Sequence, residues 1–223
     1  MLDEAQHIDG MTSLMDVLNS HGRGHPWFRG EDRADYTLKP KLGRVDIQPP
    51  RSLLGSEKGT IEEFKRCALP HLRFRVDTEW EWLALAQHHG LSTRLLDWTR
   101  NPLVACWFAT LHGYKGGDRV LYVLESGDFC HANPTTSPYE LNETVLFQPA
   151  HVTPRITAQR GVFTVHTAPD TVFDSPSLCR YVIDEDCILE MNVRIETLGV
   201  DASHVFPDLA GLAQAINRDW GIG

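Results

Sequence analysis

Residues 87–100, QHHGLSTRLLDWTR, hold the densest run of side chains able to do chemistry. His88, His89, Ser92, Thr93, Arg94, Asp97, Trp98, Thr99 and Arg100 fall within thirteen residues, with Gln87 just before them. Two shorter stretches add to it. In WFRGEDR, 27–33, Arg29 is framed by Trp27, Phe28 and Gly30, where β-prone residues give way to a turn. In PRITAQRGVFTVH, 154–166, Gln159 stands just before a glycine and a strand-like run. An arginine fork matches phosphate or carboxylate bidentately, and a side-chain amide offers both a donor and an acceptor. Each residue also has a plain structural use: His89 and Gly90 as a helix C-cap, Arg94 and Asp97 as an internal ion pair, Trp98 as a core plug, Arg29 at a strand end. Together they are more polar than a structural crossover between two helices requires, and connections placed by rigid elements are where sites gather.

Several chemistries lack their signatures. There is no H-E-x-x-H and no cysteine pair, and adjacent His88 and His89 at a helix end point about 100° apart, so no metal site is expected. Ser92 lacks the G-x-S-x-G elbow of a hydrolase nucleophile. Neither Gly-rich phosphate cradle is present, so a bound nucleotide would rest on arginine and loop amides. The net charge of −9 opposes a broad polyanion-binding face and leaves only local nucleic-acid contact, through arginines such as Arg73, Arg75 and Arg100. Five scattered cysteines suit reduced thiols. With no apolar run of about 18 residues and no leader-like pattern in the first twenty, the expectation is a cytoplasmic protein with no membrane contact.

The elements that must position these residues can be read locally. Thr60 with Glu63, and Thr78 with Glu81, fit the capping box. The first predicts a helix carrying Ile61, Phe64, Ala68 and Leu69 on one stripe and stopping at Pro70, with 46–59 before it a loop. The second predicts a helix through Trp82 and Leu85 to a left-handed Gly90. Asn101-Pro102 caps a third, apolar nearly all round and therefore buried, running to Gly113. After the KGGD turn, 119–125, 161–167 and 179–184 read as strands. A helix over 186–198 ends at Gly199, and another from Pro207 spaces Leu209, Leu212 and Ile216 to face a core. Segregated helices and strands predict an α+β fold in a single domain over 1–223.

FRG at 28–30 with LKPKLGR at 38–44, then AQHHGLSTRLLDWTRNPLVACWFA, RITAQRGVFTVH and VFPDLAGLAQAI, resemble the FRG domain family in order and spacing. Members usually have proline where this chain has Ser92. The resemblance implies a setting among bacterial mobile-element and phage-defence genes more than a reaction. More distantly, the order Arg29, Ser92-Thr93, Gln159 resembles ADP-ribosyltransferases. That likeness implies a split antiparallel or mixed sheet core flanked by helices. It also implies NAD as the substrate and ADP-ribosyl transfer as the activity, as a toxin or anti-phage effector with a macromolecular acceptor, nucleic acid or protein, and an antitoxin as partner. It makes Arg29, Thr93, Gln159 and His89 catalytic, and lines the NAD site with Phe28, Arg29, Gly30, Gln87, His88, His89, Ser92, Thr93, Arg94 and Asp97. His88 or His89 would meet the adenosine ribose or act as a base, and Asp97 would orient Arg94. The glutamate such enzymes place after the glutamine is absent here, where Arg160 and Gly161 follow, which leaves Glu31, Glu81 and Asp97 as candidates for the acid. An NAD glycohydrolase, a non-catalytic nucleotide or nucleic-acid sensor, and a metal-independent nuclease stay open beside it.

Overall fold

Most strands form from short clusters of Val, Leu, Ile, Phe and Trp between turn residues, and the seven strands among the described residues join one mixed sheet. In the computed structural model the described residues are 6–21, 24–48, 50–111, 117–150 and 153–222. Along the chain run β1 (Gln6–Ile8), α1 (Met11–His21), β2 (Trp27–Glu31), α2 (Leu53–Ala68), α3 (Glu79–His88), β3 (Leu95–Thr99), α4 (Pro102–Thr110) and β4 (Arg119–Leu124). There follow β5 (Val145–Phe147), α5 (Pro154–Gln159), β6 (Gly161–Val165), β7 (Leu178–Ile183), α6 (Ile188–Thr197), α7 (Ala202–Val205) and α8 (Leu209–Asp219). The sheet order is β1-β7-β4-β2-β3-β6-β5, parallel only between β1 and β7.

Side chains alternate across each strand, so the sheet buries both faces. Phe28, Leu121, Val123, Tyr181 and Ile183 point to one face, where the apolar α4 is the central covering element with α1 and α6 beside it. Trp27, Leu96, Trp98, Tyr122 and Val162 form the core on the other. α2 and α3 lay Ile61, Trp80 and Leu83 against Leu95, Phe163 and Val165 of the β3-β6-β5 half. The architecture is α+β, a mixed sheet flanked by helices.

Local signals hold at several places. Thr78 and Glu81 close the predicted capping box, Asn101 caps α4 ahead of Pro102, and Gly90 takes φ +93° after α3. Others are corrected. α2 begins at Leu53, capped by the Ser52 hydroxyl, so 53–59 is helix rather than loop, and Thr60 is an interior residue whose hydroxyl donates to the Glu57 carbonyl at 3.0 Å. The Gly and Ser residues there lower helix propensity, but Glu57 is fully buried against Arg94, and that tertiary pair outweighs it. Leu69 is exposed rather than on the buried stripe. The connection between α3 and α4 contains the strand β3. On α8 the predicted inward stripe faces out: Leu209, Leu212 and Ile216 are 84%, 47% and 49% exposed, and Gly211 turns inward instead. Gly113, the expected stop of α4, and Lys115 and Gly116 of the KGGD turn lie outside the described residues.

Candidate functional site

β2 pairs with β4 along its whole length, and β3 pairs with β6 in the same way, but β2 and β3 meet at a single residue pair, Phe28 with Thr99. Past that pair the ladder between the two halves of the sheet ends. A cavity of about 420 Å³ opens there, walled by β2, the end of α3, β3, α4, α5 and Phe206. Arg29 spans the fork: its Nη1 donates to the Asp97 carbonyl at 2.6 Å, a backbone acceptor that no β2 amide reaches.

The rest of the Arg29 guanidinium is held by Glu31, which accepts from Nε at 2.6 Å and lies 2.6 Å from Nη2. Asp97 stands 3.8 Å from Nη1 and is mostly exposed to the cavity side. Its Oδ2 accepts from Gln87 Nε2 at 2.9 Å, and Gln87 Oε1 in turn accepts from the Thr93 hydroxyl at 2.7 Å. Arg29, Asp97, Gln87 and Thr93 are therefore one hydrogen-bonded chain. Thr93, fully buried, does not line the cavity; it fixes Gln87, and its hydroxyl also accepts from the Leu95 amide at 3.1 Å. Of the three acids weighed as replacements for the absent glutamate, Glu31 and Asp97 line the cavity. Glu81 does not, its carboxylate being spent on the Asp77 and Thr78 amides at the start of α3.

The other sequence-predicted residues divide. Phe28, Gly30, His88 and Gln159 line the cavity with Arg29, Gln87 and Asp97. His89 and Ser92 do not; His89 is exposed, its ring set edge-on to His88 at 4.8 Å. Arg94 is not a ligand-facing group and is not paired with Asp97. Three positions along an extended chain put the two on opposite faces, and Arg94 turns into the core. There, 4% exposed, its Nε bonds Glu57 at 2.8 Å. Gly30 is needed for packing: a Cβ there would come within 1.8 Å of the Ala105 carbonyl of α4.

Gln159 is the last residue of the short helix α5. Its Nε2 donates to the Val205 carbonyl at 3.1 Å, and its own carbonyl accepts from the Thr99 hydroxyl at 2.5 Å. Arg155, one helical turn earlier, also lines the cavity and was not singled out from sequence. Thr153 followed by Pro154 is an N-cap and N1 signal that puts Arg155 and Gln159 on one helix face. Arg155 pairs with Asp208 and lies 4.9 Å over the Phe206 ring. Asp208 is held below the usual carboxylate range, first by the Gly211 amide it caps and then by Arg155.

His88 is the least satisfied group in the wall. Both ring nitrogens are buried without a hydrogen-bond partner among the described residues. Burial above all, then the neighbouring His89 and Arg155, pushes its pKa down to about 4, so the ring is neutral at pH 7. A larger hollow of about 610 Å³, bordered by Asp128, Glu143, His166 and Asp174, contains none of the predicted site residues. Among the described residues no three His, Cys, Asp or Glu side chains cluster as metal ligands would. No helix there is long and apolar enough to cross a membrane.

No curated protein and no solved structure matches the chain. A family model described as FRG domain matches residues 24–116. That span takes in β2 with Arg29 and Glu31, the α3 end with Gln87 and His88, β3 with Asp97, and α4, whereas Arg155, Gln159 and Phe206 lie beyond it. Four of the walls that meet at the sheet fork, β2, the α3 end, β3 and α4, thus lie within the span, residues 24–116, that matches the FRG domain family.

Proposed function

We propose that the cavity at the sheet fork binds NAD and that the protein transfers its ADP-ribose to a macromolecular acceptor, nucleic acid or protein, as a toxin or anti-phage effector. The observation that carries this reading is the convergence of Arg29, Glu31, Asp97 and Gln159 on one cavity. Their types are those a glycosidic cleavage of NAD needs. An arginine fork suits the pyrophosphate. A carboxylate beside the anomeric carbon stabilises the oxocarbenium-like charge that develops as the bond to nicotinamide breaks. In the reaction the C1′–N bond electrons pass to the nicotinamide nitrogen, which leaves as a neutral base. The acceptor's lone pair forms the new bond to C1′, and the acceptor's proton passes to the carboxylate. Glu31 is the better placed acid, because it is buried, on the same strand as Arg29, and oriented by it. Water in place of the acceptor gives plain NAD hydrolysis.

The test is incubation of the purified protein with NAD, following free nicotinamide by chromatography and an ADP-ribose mass increase on protein, DNA and RNA. Wild type is expected to release nicotinamide. Glu31→Gln is expected to lose about 10²-fold or more in rate, the scale of one positioned acid or base, while still binding NAD. Arg29→Lys is expected to weaken NAD binding, since a point charge replaces a fork. Release without a modified acceptor converts the assignment to a glycohydrolase. Absence of both NAD binding and release overturns it.

A further inference from the structure

The hollow of about 610 Å³ lies beside the end of β6 and the segment leading into β7, and it shares no lining residue with the cavity at the sheet fork. Three exposed acids line it, Asp128, Glu143 and Asp174, and no lysine or arginine does. Acidic loops are common on surfaces, but His166 in this wall is not a surface residue. It is 3% exposed, with its ring edge-on to Phe173 at 5.0 Å. Its Nε2 lies 2.8 Å from the hydroxyl of Thr164, which is fully buried and whose oxygen accepts from Trp98 Nε1 at 3.0 Å.

This hydrogen-bond chain sets the proton on the ring. Among the described residues the Thr164 hydroxyl hydrogen has one acceptor within reach, His166 Nε2. Were Nε2 the donor instead, that hydrogen would be buried unpaired. Thr164 therefore donates. Burial lowers the pKa of His166 to about 4, so at pH 7 the neutral ring carries its one hydrogen on Nδ1. Nδ1 has no hydrogen-bond partner among the described residues, yet unlike the nitrogens of His88 it is not sealed from solvent. A nearly buried residue thus aims a fixed N–H donor into a hollow rimmed by carboxylates.

The wall around it is fixed as well. The His166 amide donates to the Arg94 carbonyl at 3.2 Å, the Phe173 amide to the Leu38 carbonyl at 2.8 Å, and Ser177 Oγ to Asp128 at 2.6 Å. A Cβ on Gly43 would come within 1.7 Å of the Pro169 carbonyl, so the loop after β6 packs directly on that segment. Phe129 and Phe173 add ring surface. A ligand that satisfies all of this carries a cation for the acids, planar so as to lie on a ring, and an acceptor for Nδ1.

We infer that the hollow is a binding site for an arginine side chain together with its backbone carbonyl. The guanidinium lies among Asp128, Glu143 and Asp174 against the Phe129 ring, and the carbonyl accepts from His166 Nδ1. An arginine within a protein segment and free arginine share this chemistry. The free amino acid brings a carboxylate that the three acids repel, so the site takes the segment. The inference does not rest on the NAD reading.

The experiment titrates the full chain by calorimetry with Nα-acetyl-arginine methylamide, its citrulline counterpart of the same shape without charge, agmatine, which lacks the carbonyl, and free arginine. Nitrogen NMR of the histidine rings follows His166. The arginine amide is expected to bind most tightly, and the citrulline compound about tenfold or more weaker. Asp128→Asn/Glu143→Gln/Asp174→Asn, all at exposed positions, is expected to melt like wild type and to lose the arginine amide about tenfold or more. Asp186→Asn, an exposed acid elsewhere, is expected to bind it as wild type does. The His166 hydrogen is expected on Nδ1 in the free protein, with the Nδ1 resonance moving on binding. The site is overturned if the arginine amide does not bind, if citrulline binds equally, or if the triple variant binds like wild type. A hydrogen on Nε2, or an Nδ1 resonance unmoved at saturation, overturns the role of His166. Agmatine binding as tightly as the amide overturns the carbonyl contact, and free arginine binding more tightly than the amide overturns the protein segment as the source.

Discussion

Arg94 and Glu57 are each nearly or fully buried, joined by Nε to Oε2 at 2.8 Å and by the Arg94 amide to Oε1 at 2.7 Å. The guanidinium also lies 5.0 Å over the Tyr139 ring. Burial pushes the Glu57 carboxyl up and Arg94 pulls it back, so the pair holds only while both members are present. Removing one leaves an uncompensated buried charge, and Arg94→Ala is expected to destabilise the protein by about 3–5 kcal/mol. Urea unfolding should show that loss, with Arg94→Ala/Glu57→Ala together costing clearly less than the two single losses added. The same residue type does different work at Arg29, whose partner Glu31 is a cavity wall and whose third contact is a backbone carbonyl across a gap.

At the scale of elements, what sets the cavity is the close approach of β2 and α4. With a Cβ at residue 30 only 1.8 Å from the Ala105 carbonyl, Gly30→Ala must push strand and helix apart. Overpacking of this kind costs about 1–3 kcal/mol, and because the two elements share the cavity wall, ligand binding should fall with stability. Chemical denaturation and NAD titration of that variant check both. α8 gives the opposite expectation. Its Leu212 and Ile216 face solvent, so Leu212→Ser should change stability by no more than about 0.5 kcal/mol, whereas a core leucine in a helix would cost several times that.

Over the whole molecule, the two faces of the sheet carry separate cores, and the strand alternation that packs them also buries titratable groups. His166 is 3% exposed, bonded to the Thr164 hydroxyl at 2.8 Å, and burial, with Arg94 adding to it, lowers its pKa to about 4. Above pH 7 folded and unfolded chains both hold it neutral. Below its ordinary value of 6.5 the unfolded chain takes up a proton that the folded chain does not, so stability falls with pH from about 6.5 to about 4. The full effect is about 3 kcal/mol at 1.36 kcal/mol per unit. Unfolding free energies at pH 7.5 and 5 should show this loss in wild type and a visibly smaller one in His166→Gln.

What the sequence by itself determined is what depends on neighbours along the chain. The capping box at Thr78, the Asn101-Pro102 start, the left-handed Gly90 and Gly199, the apolar α4 and the strands β4, β6 and β7 follow from backbone conformation, missing amides and short periodicities, whereas the short β5 carried no such signal. The polar density at 87–100, and an Arg29 followed by a later Gln159, were legible for the same reason, as residue types in an order. Tertiary structure decided which of them meet. Thr93 turned out to brace Gln87 rather than face the cavity, Arg94 went to Glu57, His89 stayed outside, and Arg155 and Phe206 came in from the far end of the chain. It also decided that α8 presents its leucines outward and that 53–59 is helical. Burial, ion pairing and the parting of β2 from β3 are set by groups tens of residues away. No local pattern encodes where those groups will be until the sheet order brings them together.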